Sequence, residues 1–240
     1  MRIAFSGTGN SGKTTMIKSF LHTWSNYTTP DKTYREVLQK NNLLHSSKTT
    51  TDTQSKILDF MIDQVQSYDK DAKVVFDRCP LDNIAYSLWA NEKDTKGFTK
   101  QFLGKQIDLM KESVRSLDII FMCRFDAKQL IEDDGFRDID KEFIQEVDNI
   151  FYSLYNQYRQ NPEADIFFPK GDSPAIIELP HTAQERIDLI SEYVNIDGEL
   201  YGDETSIFSD VDKLEQLVYE QEQAHKAEEK DKELYKRFGL

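Results

Sequence analysis

Eight residues near the start of the chain, Gly7-Thr-Gly-Asn-Ser-Gly12-Lys13-Thr14, fit G-x-x-x-x-G-K-[ST] at every fixed position. Each residue type answers a need of anion chemistry. The glycines let the backbone wrap with its N–H groups turned inward. Those amides and the N-terminus of a following helix form an anion hole. Lys13 adds a mobile ammonium for the β and γ phosphates, and the Thr14 hydroxyl can ligate Mg²⁺. Four fixed positions match by chance in only about 1% of chains of this length. Gly7, Gly9, Asn10, Ser11, Gly12, Lys13, Thr14 and Thr15 are therefore the candidate ATP-binding set.

A triphosphate site also needs a carboxylate for its metal. Val74-Val-Phe-Asp77 puts Asp77 at the tip of an apolar run, where open α/β sheets bind ligands. Asp77 can hold Mg²⁺ directly or through water, or it can cap the helix that follows. Arg78 offers a planar fork suited to a substrate phosphate or carboxylate, or to an internal salt bridge. Arg35 can meet an acceptor phosphate or stay in solvent. Tyr34, Tyr86 and Trp89 can stack on a base or fill the core. The four histidines show no metal-ligand spacing.

These groups must be positioned by regular elements. Arg2–Ser6, Lys73–Asp77, Leu117–Cys123 and Ala175–Leu179 read as buried strands. Helical spacing runs over 13–26, 54–68, 84–91, 98–116 and 140–160, with a short helix over 128–131. Residues 34–44 fit a helix or an irregular segment, and the hydroxyl-rich 46–53 stretch reads as a loop. Thr182 and Glu185 form a capping-box pattern for a helix reaching about Val194. One or two polar helices are expected over 210–238. Strands alternating with helices predict an α/β fold with a mostly parallel sheet.

Composition sets outer limits. The chain has 240 residues and a net charge of −13. Aromatic residues at 12% are too many for a disordered chain. Two cysteines make no disulfide framework, and no apolar stretch is long enough to cross a bilayer. Met1 runs directly into a strand-like segment, so no leader is expected and the location expected is cytoplasmic, with no membrane partner. The negative total argues against wholesale nucleic-acid coating. Charge is uneven, however. Residues 1–50 hold seven basic and two acidic groups, a net of +5. Residues 196–240 hold thirteen acidic and six basic groups, a net of −7. We therefore divide the chain into a body, 1–195, and an acidic helical extension, 196–240.

The cradle, the run Asp77-Arg-Cys-Pro-Leu-Asp-Asn-Ile-Ala-Tyr86 and the run Asp133-Asp-Gly-Phe-Arg137 together resemble the P-loop nucleoside and nucleotide kinases. That group contains thymidylate kinases, deoxynucleoside kinases and nicotinamide riboside kinases. The similarity is especially to small phosphotransferase-like proteins of bacteriophages, which would put the protein in host cytoplasm. It covers roughly residues 1–195. It implies a three-layer P-loop fold with a helical lid and Mg-ATP as phosphate donor. It also implies that Asp77 serves the metal, Arg78 the acceptor or transferred phosphate, and Arg137 the lid cation. Arg124 is a second lid candidate. A Glu that many relatives use as base is replaced here by Tyr27-Thr-Thr-Pro30-Asp31, which leaves Asp31 as the candidate base. Helices of this group often pair, which makes a homodimer an open expectation.

Three activities follow. One is transfer of the γ-phosphoryl group to a nucleoside or nucleotide. A second is phosphorylation of a hydroxymethylated base in DNA, which would have to leave the stack. A third is an NTP-binding regulatory module that works through the acidic extension.

Overall fold

The structure, a computed structural model, describes residues 1–128, 131, 138–160, 166–169 and 171–200. Arg137, residues 129 and 130 of the 128–131 segment and the extension from 201 onward lie outside the described residues.

Four parallel strands form one sheet in the order β2-β1-β3-β4. They are β1 (Arg2–Ser6), β2 (Val74–Asp77), β3 (Ile119–Cys123) and β4 (Ala175–Leu179). Their near-continuous apolar runs are what a parallel sheet covered on both faces demands. In β1, Ile3 and Phe5 face one layer and Ala4 the other, and all three are fully buried. The first layer holds α1 (Lys13–Thr23) and α7 (Ala183–Tyr193), whose Met16, Phe20 and Ile190 pack with Phe5 and Phe121. The second layer holds α3 (Thr51–Gln66), α4 (Pro80–Glu92), α5 (Lys100–Val114) and α6 (Lys141–Gln160), packed on Phe76, Ile120 and Met122. The short α2 (Tyr34–Lys40) packs on α3 through Leu38, Ile57 and Met61. The fold is the expected three-layer α/β arrangement with a parallel sheet.

Two helices start earlier than the apolar spacing indicates. α3 begins at Thr51 rather than Gln54, because the Thr50 hydroxyl accepts from the Thr53 amide. α4 begins at Pro80 rather than Ile84. Cys79 is its N-cap, Pro80 stands in the first turn, and Asp82 closes a capping box. Caps outweigh side-chain periodicity at these ends, since they satisfy amides that the first turn leaves unpaired.

Candidate active site

β1 ends at Ser6 and the cradle opens at once. Gly7 has φ +135°, and a Cβ there would stand 2.3 Å from the carbonyl oxygen of Cys123. Only glycine lets the loop pass so close to β3. The loop closes at Gly12, the left-handed N-cap of α1 with φ +81°. Lys13 is buried, and its ammonium donates to the carbonyls of Gly7 (2.8 Å) and Thr8 (2.5 Å) and to Ser11 Oγ (3.1 Å). Burial, then the nearby Arg78 charge, lowers its pKa from 10.5 to about 7, against the opposing pull of Asp77 and Asp82.

One cleft is lined by Gly9 to Thr15, Tyr34, Arg35, Asp77 and Arg78. The structure thus brings together most of the residues singled out for phosphate and metal. The Thr14 hydroxyl and the Asp77 carboxylate share that wall, a donor set that suits a hard cation held largely by water and phosphate oxygens.

Arg78 forms the hinge of the site. It is buried, and its φ of +80° is strained for a non-glycine residue. Its guanidinium donates to Gly7 O and to Asp82 Oδ1, both at 2.8 Å, and to Tyr86 Oη at 3.3 Å. It also lies 5.3 Å from the Tyr34 ring centre and 5.4 Å from that of Tyr86. Burial opposes its charge, but Tyr86, Tyr34 and the Asp82 and Asp77 carboxylates outweigh it, so its pKa rises well above the ordinary value. Arg78 therefore stays a cation.

Asp82 escaped the sequence reading, yet it knots the site together. Fully buried, it accepts from Ser6 Oγ (2.7 Å), from the Gly7 amide (3.2 Å) and from the Cys79 amide (3.1 Å) besides Arg78. The signal available was its place four residues after Arg78 in a Pro-started helix.

A second cleft adjoins the first. Tyr34, Leu38, Ile57, Met61, Tyr86 and Phe143 give it apolar walls, and Gly9, Tyr34 and Arg78 belong to both clefts. Its polar wall is an amide pair that the sequence did not announce. Asn83 Nδ2 donates to Gln54 O (2.8 Å) and to Gln54 Oε1 (2.6 Å), while Gln54 Nε2 donates to Thr49 Oγ1 (2.8 Å). Asn83 Oδ1 is buried without a hydrogen-bond partner. At the rim, Asp138 accepts from the amide and hydroxyl of Ser47, and those bonds hold its pKa below the usual range against partial burial.

Other candidates sit elsewhere. Trp89 does not line either cleft. Its indole donates to Glu146 Oε2 (2.8 Å) and its ring meets Phe143 edge-on at 4.7 Å, so it seals the α4–α6 seam. Asp31 is exposed on the loop before α2 and belongs to neither wall. Arg124 is engaged by Asp148 (2.8 Å) and Glu178 (3.1 Å). Arg124 lines neither of the two clefts.

Sheet order, glycine cradle and strand-end Asp-Arg pair define a P-loop nucleoside and nucleotide kinase-like fold. Solved structures agree. The Candida albicans thymidylate kinase superposes with a TM-score of 0.58 at 18% identity, over 84% of this chain and 95% of that one. The M. mycoides deoxyadenosine kinase, solved with dCMP and a flexible dCDP, gives 0.54 at 18% identity, over 79% and 96%. The NadR protein in complex with NR gives 0.56 at 16% identity, over 80% of this chain and about half, 51%, of that one. None of the curated proteins matches the chain in sequence. A family model described as an AAA domain matches residues 2–166, and the chain belongs to that family.

Proposed function

We propose that the protein is an Mg-ATP-dependent phosphotransferase that moves the γ-phosphoryl group of ATP onto a nucleoside or nucleotide. The observation that carries this reading is the shared wall. Arg78, Tyr34 and Gly9 line both the phosphate cradle and the apolar cleft beside it, so a donor and an acceptor would meet across one guanidinium. Structural neighbours solved with dCMP and with NR support the choice of acceptor class.

The acceptor oxygen would attack the γ-phosphorus in line as its bond to the β,γ-bridging oxygen breaks, giving ADP and a phosphorylated acceptor. The transition state is loose and spreads charge over the γ oxygens, so positioning and cations carry catalysis. Lys13 and the cradle amides would hold the donor tail. Arg78, kept charged by Asp82, would face the transferring group. Thr14 and Asp77 would hold Mg²⁺, which when bound neutralises the β and γ phosphates. The amide pair of Gln54 and Asn83 would meet the polar edge of the acceptor, where the unpartnered Asn83 oxygen needs a donor.

The test offers γ-labelled ATP with nucleosides, their monophosphates, nicotinamide riboside and hydroxymethylated DNA. Label in a small acceptor, lost in Lys13→Ala, is the expected result. Label in the polymer alone, or ATP hydrolysis with no acceptor labelled, overturns it.

A further inference from the structure

Arg186 stands on the first turn of α7 and is buried beside the cradle, only 5% exposed. Its Nε donates to Pro180 O (2.6 Å) and its Nη1 to Ser11 O (3.0 Å). No carboxylate among the described residues pairs with it. The other buried guanidinium differs, since Arg78 has Asp82, and even the half-buried Arg124 has Asp148 and Glu178. Burying a cation without a counter-charge is costly. The positive end of the α7 dipole adds to that cost. Stability alone does not explain the residue.

Its contacts do. Nη1 would be 3.0 Å from a Cβ at Gly12, so the missing side chain makes room for the guanidinium. In a trans peptide the C=O and the following N–H point in opposite directions. Anchoring Ser11 O toward Arg186 therefore turns the Gly12 amide the other way. Gly12 lines the phosphate cleft and Arg186 does not. The arginine thus stands behind the loop rather than inside it.

We propose that Arg186 is a positioning residue for the donor site, one that clamps the Ser11–Gly12 peptide so that the cradle amide is aimed at the triphosphate. The same fork holds Pro180 O, tying the β4–α7 turn to the loop. The proposal rests on the reading that the cradle binds a triphosphate.

Calorimetry on the full chain separates the possibilities, using Mg-ATP and Mg-tripolyphosphate as two probes. Wild-type protein that binds neither probe overturns the cradle reading itself. Given wild-type binding, Arg186→Met and Arg186→Ala should weaken both probes by about tenfold or more, the scale of one charged hydrogen bond. Millimolar guanidinium should restore part of the loss in Arg186→Ala, which a merely structural defect would not allow. Weakened ATP with unchanged tripolyphosphate would mean a contact to the base or ribose, and overturns the clamp. Unchanged binding of both probes, or absent rescue, also overturns it. Should the Met and Ala variants fail to fold, Arg186→Lys keeps the charge and loses the fork. Intermediate affinity for both probes supports the clamp, and wild-type affinity overturns it.

Discussion

Lys13 is at odds with its surroundings, and pH exposes the conflict. Burial and Arg78 lower its pKa from 10.5 to about 7, whereas a triphosphate favours the ammonium. Binding above neutrality must therefore take up a proton. ATP affinity is expected to fall by about tenfold per unit of pH above about 7. Titration calorimetry in buffers of contrasting ionisation enthalpy should register that uptake, and a pH-independent Kd over this range would contradict it. For folding the sign is the reverse of an ordinary lysine pair. The unfolded chain protonates near 10.5 and the folded chain near 7, so Lys13 lowers stability as pH falls across that window and adds no slope below it.

At the scale of elements, α4 shows how one helix serves both site and core. Its first turn carries Arg78's partner Asp82, and its last turns carry Trp89 into the α4–α6 seam. Trp89→Ala should cost about 3–5 kcal/mol, read as a lower urea midpoint, and leave the KM of the acceptor unchanged. A raised KM at wild-type stability would return Trp89 to the acceptor site. The segment 195–200 is a second case. Trp24 Nε1 donates to Asn195 O, Tyr27 Oη to Gly198 O, and Lys73 bonds Asp197 O and pairs with Glu199. Charge alone put residues 196–200 with the extension, but they and Asn195 are strapped to the chain after α1 and to the residue before β2. A chain ending at 194 should melt several degrees below one ending at 200, since each lost hydrogen bond is worth about 1 kcal/mol. Equal melting temperatures would show the strap to be idle.

For the whole molecule, a net charge of −13 bears on which acceptor can approach. Duplex DNA rewards a protein that releases counterions through many basic contacts. This chain carries its positive excess, +5, in residues 1–50, of which Lys13 and Arg35 line the phosphate cleft. Such a local field steers a small anion without building a tract for a polymer. Duplex binding at physiological salt is expected to be undetectable by fluorescence anisotropy. Transfer to a small acceptor should fall far less with ionic strength than binding through a polymer's many phosphate contacts would. Tight DNA binding with a steep salt slope would reverse that ranking.

The cradle, the strand-end Asp77-Arg78 pair and the alternation of strands and helices were legible in the residues themselves, because glycine conformations, buried β runs and helical spacing are local properties. Asp82, Asn83, Gln54 and Arg186 were not legible, and Trp89 was open to two readings. Beside their near neighbours, their meaning depends on partners as far as 29 to 175 residues away in the chain, such as Gln54 for Asn83 and Ser11 for Arg186. Which buried polar group meets which is decided by how the two helical layers close on the sheet. No local spacing encodes that closure, since the desolvation that makes each pairing matter exists only once the layers have packed.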